Sequence, residues 1–271
     1  MSRMYDFYIV PTPIGNISDI TIRAIDVLKS VDIIACEDTR TTQKLLNHYD
    51  INTKCISYHK FNEKERVNFI LNEIKNGKRI ALVSDAGTPT ICDPGNVIIS
   101  ALKENGYTYT SLPGASAVTT FLSMVSRDSE GFSFIGFMPR TKGQMIELIQ
   151  KNSDKNLVFY ESPNRILDTL DIINKIRGDV RVSLGRELSK LYEEVITDNI
   201  SAVIKHFESG IKGEIVCMIH ADIKADETKL DFMIKNLCQK GYSNKDISEI
   251  LSTLYDFNKN KIYKRTLELN K

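Results

Sequence analysis

A chain of 271 residues, 42% hydrophobic and 26% charged, has room for roughly two globular domains and excludes a disordered or fibrous protein. Its formal net charge of +1 raises no global field toward nucleic acid or membrane, and no apolar stretch reaches the ~18 residues of a membrane span. Five cysteines without a C-x-x-C pair, and four histidines without an H-E-x-x-H pattern, point to reduced thiols in the cytoplasm and to a protein holding no metal.

The opening Met1-Ser2-Arg3-Met4-Tyr5-Asp6 runs into a strand rather than reading as a signal peptide. Apolar runs at 7–10, 33–36, 55–58, 80–83 and 108–112 predict strands, with helices between them at 21–30, 39–48, 62–76 and 94–105. Asn62 and Glu65 form a candidate N-cap pair, and Gly77 a helix stop. Such alternation implies a largely parallel sheet with helices on both faces.

Past Pro113-Gly114-Ala115-Ser116 the pattern changes. A small-residue helix (115–125) precedes strands near 132–137, 156–160, 180–184, 194–199 and 214–220, with helices near 142–151 and 163–177. This reads as a second α/β domain with a mixed sheet, in which 195–199 pairs antiparallel with the segment entering at 213–215. From about 225 only helices are predicted, at 232–240, 246–254 and 258–267, with Ser243-Asn244-Lys245-Asp246 as a cap. The expected division is 1–115, 116–224 and 225–271.

The most informative segment is Arg79-Ile80-Ala81-Leu82-Val83-Ser84-Asp85-Ala86-Gly87-Thr88-Pro89. A buried strand opens there into a tight loop of small residues whose backbone can touch a ligand, at the sheet edge where α/β proteins bind small molecules. No G-x-G-x-x-G and no G-x-x-x-x-G-K-[ST] motif occurs, so dinucleotide and P-loop readings lose their main support. The second strand ends in Glu37-Asp38-Thr39-Arg40. Asp38 or Thr39 either caps the next helix or belongs to a site, Glu37 exceeds what a cap needs, and Arg40 is placed to clamp a phosphate. Tyr58-His59-Lys60-Phe61-Asn62 interleaves aromatic and basic groups, as either an RNA-stacking surface or an ordinary polar loop. Arg165 stands at a helix start, meeting phosphate or solvent, and the last fifteen residues carry Lys259, Lys261, Lys264, Arg265 and Lys271.

In order along the chain stand Val-Pro-Thr-Pro-Ile-Gly-Asn (10–16), Asp-Ile-Thr-Ile-Arg-Ala (19–24), Glu-Asp-Thr-Arg (37–40) and Ser-Asp-Ala-Gly-Thr-Pro (84–89). Asp-Pro-Gly (93–95), Leu-Pro-Gly (112–114), Phe-Tyr-Glu-Ser (159–162), Arg-Glu-Leu-Ser-Lys (186–190) and Lys-Gly-Glu (212–214) follow. The series resembles the bacterial ribosomal RNA small subunit methyltransferase I family of the tetrapyrrole methylase superfamily, over about residues 5–221 and more loosely the helical tail. Ala115 stands where relatives read proline, which softens that loop.

The resemblance implies two α/β domains of tetrapyrrole methylase type plus a small helical extension, assembled as a homodimer. It implies S-adenosyl-L-methionine-dependent methylation of a cytidine ribose 2′-hydroxyl in 16S rRNA, at the decoding centre of the small ribosomal subunit. The cofactor contacts it implies are Pro11, Thr12, Pro13 and Ile14, then Asp85, Ala86, Gly87 and Thr88, then Ser116 and Ala117, with Tyr160, Glu187 and Leu188 from the second domain. A ribose hydroxyl is a weak nucleophile, so a general base should assist. Glu37 and Asp38 are the first candidates and Glu187 and Glu161 the second, while Arg40, His59, Asn62 and Arg165 are candidate RNA contacts. The alternatives are a tetrapyrrole-precursor methyltransferase and a non-catalytic ribosome-binding module. The Glu37-Asp38 pair is a poor neighbour for the acidic macrocycle that the former would need.

Overall fold

The computed structural model describes residues 4–127, 131–221, 223–255 and 258–269. No helix among them is long and apolar enough to cross a membrane.

The first domain alternates strand and helix: β1 (Phe7–Ile9), α1 (Ile22–Ser30), β2 (Ile33–Cys36), α2 (Thr39–His48), β3 (Lys54–Ser57), α3 (Glu63–Lys75), β4 (Ile80–Val83), α4 (Asn96–Glu104) and β5 (Tyr109–Ser111). The strands pair in the order β3-β2-β4-β1-β5, all parallel. Because side chains alternate across the sheet, neighbouring residues feed two cores. Tyr8, Ile34 and Val83 pack with Leu28 of α1 and with Leu45 and Leu46 of α2. Phe7, Ile33 and Leu82 pack with Ile70 of α3 and with Ile98 and Leu102 of α4. Cutting one of these aliphatic side chains to Ala costs about 2–5 kcal/mol. All five carboxyl ends point to one edge, where the loops collect.

The second domain comprises α5 (Ala117–Met124), β6 (Phe132–Phe137), α6 (Lys142–Lys151), β7 (Asn156–Glu161), α7 (Ile166–Arg177), β8 (Arg181–Arg186), β9 (Glu194–Asn199), α8 (Ile200–His206) and β10 (Ile215–Ile219). Its sheet runs β6-β7-β10-β8-β9, with β6 parallel to β7 and the other pairs antiparallel. Helices α6, α7 and α8 cover one face through Ile149, Leu170 and Val203. Helix α5 covers part of the other, where Phe121 and Leu122 meet Val158, Val216 and Met218.

The expected pairing of 195–199 with the 213–215 segment is corrected: β9 pairs β8 instead, and β10 inserts between β7 and β8. The reason lies in burial. β10 is buried at every position and so takes an interior slot, whereas the half-exposed, polar-ended β9 tolerates the edge. The seven-residue α8 was not expected, being too short to show a helical period.

The tail folds into α9 (Ile223–Gln239), α10 (Asn244–Tyr255) and α11 (Lys259–Leu269), joined by a small core of Leu230, Ile234, Ile247, Leu251 and Ile262. Helix α9 begins well before the expected residue 232. The cap at α10 forms reciprocally: Asp246 N–H donates to Ser243 Oγ at 3.2 Å, and Ser243 Oγ donates to Asp246 Oδ2 at 2.6 Å. At α3 the capping expectation fails. Asn62 occupies the N-cap position but makes no side-chain cap bond.

Candidate active site

Parallel strands deliver their following loops to one edge, and here those loops are stitched together. Thr12 N–H donates to Gly87 O and Gly87 N–H to Thr12 O, both at 2.9 Å. Thr12 Oγ1 donates to Ser84 O at 3.0 Å. Gly87 has φ +77°, a left-handed conformation that glycine adopts without strain. Thr88 Oγ1 donates to Ala115 O at 3.0 Å, so the residue standing in place of proline still anchors the loop through its carbonyl. Asp38 N–H donates to Asp85 Oδ1 at 3.0 Å, joining the loops after β2 and β4.

The second domain presents a strained turn after β8. Glu187 and Ser189 both have positive φ, at 50° and 67°, the kind of stored strain found at functional sites. Lys190 Nζ donates at 2.9 Å to both Glu187 Oε1 and Glu214 Oε2. Gly15 permits the first-domain loop to lie against this turn: a Cβ there would come within 2.8 Å of Leu188 O. Ser189 Oγ also donates to Asp19.

Between these surfaces lies a cavity of about 380 Å³, within the ordinary range for small-molecule sites. Of the expected cofactor residues, Ile14, Ala86, Gly87, Thr88, Ser116, Ala117, Tyr160 and Leu188 line it. Pro11, Thr12, Pro13, Asp85 and Glu187 are not among its lining residues; Thr12 and Asp85 brace the loops, Glu187 braces the turn, and Pro11 packs against Gly114. Ile91, Cys92, Asp93, Phe137, Gly213, Glu214 and Val216 also form the wall, none of them expected there from the sequence. The Asp-Pro-Gly (93–95) and Lys-Gly-Glu (212–214) motifs carried the signal for Asp93, Gly213 and Glu214.

Burial raises the Glu37 carboxyl above its ordinary value, and the charges of Asp93 and Asp85 add to the effect. Burial likewise raises Asp93, with Ser84 opposing through a hydrogen bond. Tyr160 is pushed up to about 12, first by burial. Asp38 is held at about 2 by hydrogen bonds from the Arg40 side chain and backbone. Its Oδ1 accepts from Arg40 N–H at 2.8 Å and its Oδ2 pairs with the guanidinium at 2.7 Å. Asp38 is thus the cap of α2, and Arg40 rests on it. Arg165, partly exposed, donates to Pro139 O at 2.9 Å and pairs with buried Glu161 at 3.2 Å. Asn62 Oδ1 accepts His59 N–H at 2.8 Å, and its Nδ2 donates to Ser57 O at 3.3 Å. Among the described residues no group of His, Cys, Asp and Glu is arranged to hold a metal ion.

The residues present fit S-adenosylmethionine. The left-handed Gly87 leaves the cradle floor without a Cβ, Ile14, Ile91, Phe137 and Val216 give apolar walls, and Asp93 and Glu214 offer carboxylates to a cationic group.

The family model Tetrapyrrole (Corrin/Porphyrin) Methylases matches residues 6–204. Ribosomal RNA small subunit methyltransferase I of Vibrio cholerae is 39% identical over 270 residues, covering 96% of this chain and 94% of that protein. The protein of the same name from Halalkalibacterium halodurans is 46% identical over 217 residues, covering 78% and 74%. A solved diphthine synthase superposes with a TM-score of 0.64 over 79% of this chain and 89% of that one, at 13% identity. A cobalt precorrin-4 methyltransferase does so at 0.58 over 78% and 93%, at 14% identity, so both share the fold alone. The chain belongs to the tetrapyrrole methylases and, within them, to the ribosomal RNA small subunit methyltransferase I family.

Proposed function

We propose that this protein methylates the 2′-hydroxyl of a cytidine ribose in 16S rRNA, at the decoding centre of the small ribosomal subunit, using S-adenosylmethionine. The carrying observation is one two-domain cavity with a raised carboxylate on the adjoining strand end, in a chain 39% identical to an rRNA small subunit methyltransferase I over nearly its full length. The resemblance extends the reading to a homodimer working in the cytoplasm.

When bound, S-adenosylmethionine supplies an electrophilic methyl group on a sulfonium centre. Ile14, Gly87, Thr88, Ala117 and Leu188 would hold it in the cavity, and Asp93 and Glu214 would offer carboxylates to a cationic group. Glu37 accepts the ribose hydroxyl proton, its raised pKa bringing it closer to working pH than an ordinary carboxylate. Asp38 positions this loop as the helix cap and takes no proton, because a carboxyl held at about 2 is a weak base. The fixed loops keep donor and acceptor in register, which is the main demand of a displacement at methyl.

A small acidic tetrapyrrole is the competing substrate, since a structural neighbour is a cobalt precorrin methyltransferase. The mutual proximity of Glu37, Asp85 and Asp93 opposes a multiply anionic macrocycle. The test is transfer of labelled methyl to undermethylated small subunits, free rRNA and a porphyrinoid. Label on the RNA of the subunits is expected, and label on the porphyrinoid alone overturns the proposal.

A further inference from the structure

Phe61 is 95% exposed, although a free phenylalanine ring in water forgoes its burial energy. It does not sit on a loose loop. Asn62 clamps the segment at both sides, through His59 N–H and through Ser57 O and Oγ at 3.3 Å. Tyr58 N–H donates to Cys36 O at 2.8 Å, one residue before Glu37. Tyr58 Oη donates at 3.0 Å to Glu63, whose same oxygen accepts Gly95 N–H at 2.8 Å, two residues after Asp93. The ring is therefore carried on a shelf fastened to both sides of the acidic mouth, and His59 lies within electrostatic reach of Glu37. Phe61 stands edge-on to His59, with ring centroids 6.1 Å apart. Lys60 and Lys64 flank it, exposed and without a carboxylate partner among the described residues.

We infer that Phe61 is a stacking platform for an RNA base beside the acceptor nucleotide, with Lys60 and Lys64 meeting the adjoining phosphates; this rests on the proposed function above. A 2′-hydroxyl can reach a pocket only if its nucleotide is drawn out of regular stacking, and the unstacked neighbour then needs a new π-surface. A rigid exposed ring supplies one at low entropic cost, and flanking cations without partners suit a polyanion. Phe61 is thus a positioning residue: it holds the strand so that Glu37 meets the correct ribose.

The chain has no tryptophan, so Phe61→Trp introduces a single reporter at the site. Its emission should quench on addition of undermethylated small subunits and stay unchanged with S-adenosylmethionine alone. Phe61→Ala should raise KM for the subunits about ten- to a hundredfold, with KM for S-adenosylmethionine unchanged, and Phe61→Tyr should restore it. If the wild type is active but Phe61→Ala keeps its subunit KM, or the tryptophan is not quenched, the inference falls alone. A Phe61→Ala protein whose oligomeric state changes while its subunit KM does not would assign the ring to a protein contact and overturn it. A wild type that labels no subunit RNA overturns the proposed function, and this inference with it.

Discussion

Asp85 accepts the backbone N–H of Asp38 at 3.0 Å, making the loops after β2 and β4 one mechanical unit. Glu37 is the neighbour of that N–H, so the carboxylate proposed as base is positioned by a residue outside the cavity wall. Asp85→Ala should remove the tie and lower kcat about two- to tenfold, the worth of one exposed hydrogen bond of about 0.5–1.5 kcal/mol. Asp85→Asn retains an accepting oxygen and should stay near wild type. Steady-state kinetics of the pair checks this; equal losses would mean that the charge, not the tie, matters.

The pH dependence of kcat should carry an acidic limb set by Glu37. A general base works only when ionised, and burial with two nearby carboxylates raises its pKa above the ordinary 4.5. The rate should therefore climb with pH through that raised value and then level. Glu37→Gln should cost about 10²–10⁴-fold and abolish the limb. Stability should move oppositely. A folded pKa above the unfolded one means that the native state loses stability as pH rises between the two. Glu37→Gln should unfold at a higher temperature than wild type near neutral pH, seen by calorimetry.

The parallel sheet was legible because β2 and β4 are four-residue runs buried at every position and bounded by turn residues. The cavity floor was legible for a related reason: small residues around the left-handed Gly87 mark a tight turn at a strand end. What escaped depends on partners distant in sequence. The insertion of β10 between β7 and β8 follows from burial that its apolar run shares with other strands. Asp93 and Glu214 sat in recognised motifs, yet nothing local says that they face one cavity. Arg165 reads like any helix-start arginine until Glu161, four residues earlier, is seen to be buried beneath it.

Arg165 offers a separate test of stability. Its guanidinium pairs with Glu161, whose side chain is 1% exposed and also accepts Thr169 Oγ1 at 3.0 Å. Removing one partner of such a pair strands a charge. Because Arg165 is itself partly exposed, the loss should be smaller than for a fully buried pair, about 1–3 kcal/mol. Arg165→Ala should lower stability to urea by that amount. With Arg165 engaged inside the second domain, KM for the RNA substrate should shift little once folded protein is compared.

The wall opposite the first-domain loops depends on Gly213. Its φ of +92° suits glycine, and a Cβ there would overlap the Glu187 side chain. Glu187 has φ +50° and holds Lys190 at 2.9 Å, while Lys190 also reaches Glu214 on the cavity wall. Gly213→Ala therefore imposes two costs: the left-handed penalty of about 1–2 kcal/mol and expulsion of Glu187 from its bond to Lys190. A Tm lower by about 3–8 °C is expected, together with a raised KM for S-adenosylmethionine because Glu214 loses its brace. The overlap predicts a specific non-additivity. Glu187→Ala alone should destabilise by removing the Lys190 contact, whereas added to Gly213→Ala it should cost less, since that contact is already lost and the truncation relieves the overlap. Thermal unfolding of the four proteins in this cycle decides the matter: strictly additive shifts would mean that Gly213 is required for its backbone conformation alone.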